Sequence, residues 1–496
     1  MIRARNASCS TGATARPTAR SLPRPRVRSA ALLAALLATG GCAAAVPSPP
    51  QSTLAIPADW SQADAAQSGV DLARYWEWLG DPLLVRLENQ ALAENRDLAE
   101  AGARLDQARA QLRLARAGYL PTVSASGDAS KDVGDLARDA VQFSLGANAS
   151  WEADLFGRIG GNVAASEADL AASGYSLADL QRAITGQVAL NVITARSLAA
   201  QLAIARDSLA RQDENLQIAR WRNQAGLVSS LDVEQARSQR AQTAATTPQL
   251  ENSLAATANA IATLVGEAPG PVLAALAPPG VIPSPDPAAP AGAPAEVLRR
   301  RPDVRAAEAA LLAATARVGV ARAQLLPLVR LTGTIGTAAP AADLFQIITG
   351  GLFASVSQLV FDGGRTRAQI DTAQAAARGS LAAWEGTILS ALEEVETAST
   401  AQRTATERER ILDEALDAAN NSALLARSQY QAGLTDFRNL LTAESQLLAA
   451  RNAALAAQAD RASAFVRLNQ ALGGGWTPPP SAAPAPAPAT GDRILP

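Results

Sequence analysis

Histidine is absent from the 496-residue chain, and cysteine occurs only at Cys9 and Cys42. The missing imidazoles exclude histidine-based metal sites and histidine acid–base catalysis. Cys9 lies in a predicted leader and Cys42 directly at its end, so the rest of the chain offers no cysteine nucleophile and no disulfide. The only lysine, Lys131, follows Ser130 with no glycine-rich loop before it, which excludes a phosphate-binding loop. The sequence therefore predicts no metal, no cofactor and no enzymatic activity.

Aromatic residues are also scarce, at 4% of the chain, although 48% of the residues are hydrophobic. Much of that apolar content is alanine, which favours helices that lie close together over a thick globular core. The leader holds seven arginines and no acid, so its loss lowers the basic residues from 44 to 37 against 46 acidic ones, a net charge of −9. An acidic chain without a basic stripe predicts no nucleic-acid partner.

The first residues have the pattern of a secretory signal. Seven arginines within residues 1–28 are followed by the apolar run Ala30 to Ala38, which is too short for a transmembrane helix, and then by small residues before Cys42. This boundary resembles a bacterial lipoprotein box, although Thr39 stands where a leucine is usual. The pattern predicts a signal peptide and lipidation of Cys42.

Strict alternation marks the segment Val141 to Glu152. Its odd positions are apolar (Val141, Phe143, Leu145, Ala147, Ala149 and Trp151), and its even positions are polar or glycine. Twelve residues at roughly 3.3 Å each give a strand of about 40 Å, which suits a tilted strand in an outer-membrane barrel. A long strand of a soluble sandwich has the same pattern, so the alternation alone leaves both interpretations open.

Two halves of the chain repeat each other. Asn95-Arg96-Asp97-Leu98 corresponds to Arg301-Pro302-Asp303-Val304 at an offset of 206 residues, and Gln224-Ala225-Gly226-Leu227 corresponds to Gln431-Ala432-Gly433-Leu434 at an offset of 207. Each half reads as a helix, a pair of strands, a very long helix, a tight turn and a return helix. The first helices are predicted at Leu92 to Gly118 and at Ala295 to Gln324.

These signals divide the chain into six parts, in order: signal peptide 1–41, lipid-anchored N-terminal extension 42–90, first repeat 91–277, Pro-rich linker 278–294, second repeat 295–476, and disordered Pro/Ala tail 477–496. Within the repeats we predict strands at about 122–152 and 328–361, the last of them at 352–361. The long helices are predicted at 158–223 and 364–431, and the return helices at 231–265 and 439–472.

Helix lengths predict how the parts fit together. In the first half the two short helices total 62 residues, close to the 66 of the long one, so they could stack end to end along it. At 1.5 Å per residue the long helix spans about 100 Å, with the strands at one end. Four strands cannot close a barrel, and open edges in a bilayer would leave backbone groups unpaired. If these strands span a membrane, chains must therefore pool them, and a conducting pore then requires three chains or more.

With these features together, the sequence resembles the outer-membrane factor (TolC-like) family of tripartite efflux systems. It is most similar to the lipoprotein branch of that family, which serves resistance–nodulation–division pumps. The resemblance covers about residue 60 to Trp476 and rests on an ordered set of motifs: Trp76 to Leu83, Asn95 to Leu98, Leu120-Pro121, Trp151 to Arg158, Arg301 to Val304, Phe361 to Arg365, and the turns at Gly226 and Gly433.

The resemblance implies a mainly α fold with a β-barrel portion. Long antiparallel helices would form a coiled-coil barrel in the periplasm, and four membrane strands per chain would close, in a homotrimer, into a 12-stranded barrel in the outer membrane. Apolar strand residues would then contact outer-membrane lipid, namely Val141, Phe143, Leu145 and Trp151. The family also implies a periplasmic adaptor and an inner-membrane pump as partners.

The helix-hairpin tips are the implied adaptor contacts, here Gly226 with Leu227 and Gly433 with Leu434. Relatives often narrow the entrance with acidic residues six and nine positions after the second turn glycine. This chain has Asn439 and Thr442 there, so the usual ring is not present unchanged. A gate formed by nearby charges is the remaining hypothesis, with Asp232, Asp436 and Arg438 as its candidates.

The sequence therefore predicts a passive, lipid-anchored outer-membrane duct that carries small toxic compounds from pump and adaptor. Two alternatives remain open. The same channel could serve a type I protein-secretion exporter, or the chain could be a periplasmic coiled-coil scaffold with no pore.

Overall fold

The computed structural model describes residues 48–61, 72–131, 133, 141–283, 294–340 and 347–477. The predicted signal peptide, Cys42, most of the linker and nearly all of the tail lie outside these residues. The described part contains a 3₁₀ helix at Tyr75–Leu79, four strands and nine α-helices: α1 Pro82–Glu94, α2 Arg96–Ala117, β1 Thr122–Ser130, β2 Gln142–Ala153, α3 Arg158–Gln224, α4 Ser230–Leu264, α5 Pro271–Leu276, α6 Pro294–Arg300, α7 Pro302–Ala323, β3 Leu328–Pro340, β4 Thr349–Ser357, α8 Arg365–Gln431 and α9 Phe437–Ala471.

Most elements follow the predicted pattern. The two long helices α3 and α8 have 67 residues each, which at 1.5 Å per residue is about 100 Å. Both begin and end within one residue of the predicted bounds, and the return helices α4 and α9 do so within two. The last strand differs: β4 ends at Ser357, not at Phe361. Its ladder partner β3 begins only at Leu328, directly after Pro327, so no backbone groups remain to pair with residues beyond Ser357.

The predicted single helices at Leu92 to Gly118 and Ala295 to Gln324 are wrong, because each is two helices. Asn95 has an extended backbone (ψ 132°), and its side chain accepts a hydrogen bond from the Leu98 amide at 3.0 Å, so α1 ends and α2 begins there. In the second half, Arg301 is also extended (ψ 124°). Pro302 follows it, and proline disfavours helical backbone in the residue before it.

These two breaks are the joints at which the short helices stack. The Asn95 amide donates to the Leu264 carbonyl oxygen at 2.8 Å, which joins the end of α4 to the start of α2. At the corresponding joint, Nη1 of Arg301 donates to the Ala471 carbonyl oxygen at 3.0 Å and joins α9 to α7. Carbonyls at a helix end have no partner within the helix, so each joint satisfies one of them. The end-to-end stacking inferred from helix lengths is thereby confirmed.

Arg301 is the more strongly anchored of the two joint residues, at 1% exposure. Its guanidinium makes two hydrogen bonds to Asp303, of 3.0 and 2.6 Å, and an ion pair of 2.7 Å with Glu394 of α8. Burial alone would raise the pKa of the Asp303 carboxyl, but the hydrogen bonds and charge of Arg301 outweigh it and hold that pKa below its ordinary value. The joint therefore also ties α7 to the second long helix.

The largest core cluster lies between the N-terminal extension, the middle of α3 and the C-terminal parts of α4 and α9. It includes Tyr75, Trp76, Ile193, Ile261 and Phe465. Glu88 of α1 is fully buried beside it. Neither carboxyl oxygen of Glu88 has a hydrogen-bond partner among the described residues. Burial therefore raises the pKa of the Glu88 carboxyl well above its ordinary 4.5.

Glu88→Gln should remove a pH dependence of stability. Because the folded pKa is raised, the folded state binds up to one proton more than the unfolded state between pH 4.5 and the folded pKa. Stability should thus fall by up to about 1.4 kcal/mol per pH unit as the pH rises towards the folded pKa. Thermal unfolding in detergent at pH 5 and pH 7.5 should show a smaller difference for Glu88→Gln than for the unsubstituted protein. Equal differences would mean that Glu88 is not protonated in the fold.

Candidate functional site: an apolar sheet face and two hairpin tips

The four strands form one antiparallel sheet in the order β1-β2-β3-β4. Residues that pair directly across an antiparallel ladder have side chains on the same face. The odd positions of β2 therefore share a face with one set of residues on each of the other three strands. These residues are Val123, Ala125, Gly127 and Ala129 on β1, Val329, Leu331, Gly333, Ile335, Thr337 and Ala339 on β3, and Gly350, Leu352, Ala354 and Val356 on β4. One face of the sheet is therefore apolar from edge to edge, with Thr337 as its single hydroxyl.

The opposite face is mostly hydroxyls, amides and charges. It carries Ser124 and Asp128 on β1, Asn148 and Glu152 on β2, Arg330 and Thr334 on β3, and Ser355 on β4. The alternation recognised in one segment thus extends across four strands that are distant in sequence. A soluble sheet with one apolar face buries it against another layer, whereas Val123, Ile335, Leu352 and Val356 are exposed in this chain.

The predicted lipid-facing residues lie on this apolar face. Phe143, Leu145 and Trp151 belong to β2, and Val141 precedes the strand by one residue. Trp151 is fixed at the helix end of the sheet, where its indole N–H donates to the Tyr119 carbonyl oxygen at 2.9 Å. The outer edges of β1 and β4 pair with no other described strand, so the sheet is incomplete within one chain.

The opposite ends of the long helices form two similar turns. Gly226 and Gly433 have φ values of 68° and 73°, a conformation that glycine adopts without strain. The following leucine amide bonds back five residues in each case, Leu227 to the Arg222 carbonyl and Leu434 to the Gln429 carbonyl, both at 2.8 Å. Both leucine side chains point outward, at 73% and 79% exposure. The two tips are thus matched apolar points at the end of the molecule.

A small core holds the two tips together. It contains Leu216 and Ala219 of α3, Ala236 of α4, and Tyr430, Phe437 and Leu440 of the second hairpin. The Tyr430 and Phe437 ring centroids are 5.4 Å apart, and the Arg222 guanidinium lies 4.3 Å from the Tyr430 ring centroid. Arg222 therefore links the first hairpin to the second close to the turns.

The gate candidates have structural partners of their own. Asp232 accepts from the Ser229 amide and hydroxyl, both at 3.0 Å, and so forms a capping box at the start of α4. Asp436 is the N-cap of α9 and accepts from the Asn439 amide at 2.9 Å. Arg438, the second residue of α9, is exposed. These capping hydrogen bonds do not test the gate hypothesis. A substitution that does test it must leave them intact, because otherwise it would also destabilise the helix start.

Sequence reasoning did not identify Glu444 as a bridging residue. Its carboxylate accepts from the Asn215 side chain at 2.6 Å and from Arg427 at 2.8 Å, which ties α9 to both long helices. The three residues are scattered along the chain, so no local spacing signals the contact. Among the described residues, no three Cys, Asp or Glu side chains are arranged to hold a metal ion.

An apolar, incomplete antiparallel sheet at one end of paired 100 Å helices defines a channel protein of the outer-membrane type. Comparison with known proteins agrees. The model of the outer membrane efflux protein family matches residues 87–267 and 293–474, ranges that overlap the predicted repeats at 91–277 and 295–476. This chain belongs to the outer membrane efflux protein family. It is accordingly an outer-membrane protein of efflux, with a long periplasmic helical part.

Individual relatives extend over almost the whole chain. The pyoverdine export outer membrane protein OpmQ of Pseudomonas aeruginosa is 32% identical over 464 residues, covering 91% of this chain and 97% of OpmQ. The outer-membrane channel OprN has 33% identity and a TM-score of 0.79, with 87% of this chain and all of that structure covered. The outer membrane protein VceC of Vibrio cholerae has 26% identity and a TM-score of 0.76 over 82% of this chain and all of that structure.

A charge on the apolar face should interfere with assembly in the membrane, and one on the polar face should not. Leu145→Arg places a guanidinium on the face that would meet lipid, at a cost of up to a few kcal/mol per charge. Ser144→Arg, the matched control, places the same group on the opposite face one residue away, across the ladder from Asp128. Heat-modifiable oligomers on gels should be depleted for Leu145→Arg and retained for Ser144→Arg. Equal yields would show that the two faces are not distinguished by lipid.

Proposed function

We propose that three copies of this chain form a passive exit duct across the periplasm and the outer membrane. The observation that carries the proposal is the sheet face, apolar except for the Thr337 hydroxyl, between two strand edges that pair with no other described strand. In a bilayer every backbone group must be paired, so β4 of one chain would pair with β1 of the next until a barrel closes. Three chains supply twelve strands, enough to leave a water-filled lumen, whereas eight strands fill their own interior.

Within this duct the apolar face, with Val141, Phe143, Leu145 and Trp151, would contact outer-membrane lipid. The polar face would line the lumen, as in other membrane barrels. Cys42 would carry the lipid anchor. Each trimer would continue into the periplasm as a tunnel built from the long helices and the stacked short ones.

The tips Gly226–Leu227 and Gly433–Leu434 would dock a periplasmic adaptor that connects the duct to a resistance–nodulation–division pump in the inner membrane. Two exposed leucines per chain offer apolar anchors, of the kind that lie at the centre of protein interfaces. The pump would supply the energy and most of the choice of cargo, which we expect to be small toxic compounds. The duct itself would use no cofactor, perform no catalysis and bind no nucleic acid.

Charged tips should abolish transport without preventing assembly. Burying a leucine contributes about 1.5–3 kcal/mol, so Leu227→Asp with Leu434→Asp should weaken adaptor binding by roughly tenfold or more. In cells that lack their own copy, the double variant should fail to lower ethidium accumulation, although its trimers reach the outer membrane. The control variant Leu227→Met with Leu434→Met keeps the tips apolar and should therefore retain transport. Wild-type protein found as a soluble periplasmic monomer would contradict the duct and favour a scaffold without a pore.

The gate hypothesis requires a charge change that leaves the helix cap intact. Asparagine caps a helix as well as aspartate does, so Asp436→Asn removes the charge and keeps the acceptor for the Asn439 amide. If Asp436 helps to close the entrance, single-channel conductance of Asp436→Asn should exceed that of the unsubstituted trimer. Asp232→Asn provides the same comparison at the first hairpin. Unchanged conductance in both variants would remove these residues as gate elements.

A further inference from the structure

Acidic side chains are already engaged at the junction where the sheet meets the helices. Both oxygens of Glu152 accept from Arg158, at 2.8 and 2.6 Å. Asp154 accepts from the amides of Ile159 and Gly160 at the start of α3, at 3.1 and 2.7 Å. Asp362 accepts from the Gly364 and Thr366 amides and the Thr366 hydroxyl, at 3.0, 2.8 and 2.6 Å. The carboxylates of all three residues are therefore hydrogen-bonded within the chain.

Arg330 lies at the same level of the sheet and has no such partner. It is exposed and forms no ion pair within the part of the chain that the structure describes. In the register it stands opposite Glu152 on one side and Ser355 on the other, so its side chain shares the polar face with both. Glu152 is already paired with Arg158, and Ser355 carries no charge. The guanidinium of Arg330 is therefore available to a solute.

An aromatic side chain stands next along the same face. Phe353 pairs with Thr332, two positions from Arg330, and it is the only aromatic residue on the polar face of the described strands. It is 60% exposed. Its ring lies over Gly351, where a Cβ atom would come within 2.8 Å of it. Its ladder partner is Thr332 and the next residue of β4 on this face is Ser355, so the exposed part of the ring stands among hydroxyls.

We propose that Arg330 and Phe353 form a lumen site for anionic solutes that carry an aromatic group. The inference rests on the proposed trimeric duct, in which three copies of each residue would surround the path. A guanidinium presents N–H donors that match a carboxylate or phosphate, and the ring offers an apolar surface for the rest of the solute. Rings of charged side chains select ions in channels, and the cations would act locally although the whole chain is acidic.

Reversal potentials of the reconstituted trimer in a potassium chloride gradient test the charge. Arg330→Gln should shift the reversal potential towards cation preference, whereas Arg330→Lys should leave it nearly unchanged. Arg104→Gln is the matched control, because it removes the same charge from an exposed arginine on α2 that is paired with Glu100. An equal shift in Arg104→Gln and Arg330→Gln, or no shift in either, would overturn the proposal. The duct itself would still stand, since it fails only if the wild-type trimer does not conduct.

Benzoate and acetate as replacement anions test the aromatic part. Both carry one carboxylate, but only benzoate has a ring to lie against Phe353. The unsubstituted trimer should be more permeable to benzoate, relative to acetate, than Phe353→Ala, and Phe353→Tyr should keep the preference. Arg330→Gln should lower permeability to both anions. An identical benzoate-to-acetate ratio in the Phe353→Ala and unsubstituted trimers would overturn the role of the ring.

Discussion

The structure depends on the requirement that a backbone in a bilayer pairs all its hydrogen-bonding groups. One chain supplies four strands whose register collects the apolar side chains on one face and leaves the outer edges of β1 and β4 unpaired. Such a sheet is complete neither in water, where its apolar face would be exposed, nor in lipid, where its edges would be. In the proposed trimer, pairing between chains would satisfy the strand edges and the bilayer would cover the apolar face, so both requirements would be met only by the assembled chains in the membrane.

The helical part solves a different problem, that of building a layer about 100 Å long from helices of unequal length. Two short helices can replace one long helix only if the gap between them leaves no backbone group unsatisfied. Asn95 and Arg301 do this at equivalent places in the two halves, each bonding the last turn of the return helix. The neutral amide serves one joint and a buried guanidinium with its carboxylates serves the other, so the two halves conserve geometry with different chemistry.

The elements most accurately predicted from sequence are those with long, uninterrupted patterns. The long helices and the turns at Gly226 and Gly433 are examples, because a missing proline and a glycine with positive φ act locally. Two of the errors lie where a local pattern continues through a tertiary feature, whereas the break at Arg301 had a local signal in Pro302. Leu92 to Gly118 reads as one helix because Asn95 interrupts no periodicity. The contact that makes Asn95 a joint is its hydrogen bond to Leu264 of α4, which lies 169 residues away in the chain. Likewise, β4 ends where its partner strand ends, which its own sequence does not show.

The sequence by itself determined the class of the protein, since the internal repeat, the alternation in one strand and the helix lengths can all be read along the chain without knowing which residues are in contact. Only the tertiary structure decided which distant residues share a surface. The apolar face joins four strands whose residues lie as far apart in the chain as Val123 and Val356. The polar face brings Arg330 beside Glu152, whose carboxylate is already paired with Arg158. The physical reason is that a strand's own alternation specifies its two faces, whereas register between strands specifies which neighbours each residue meets.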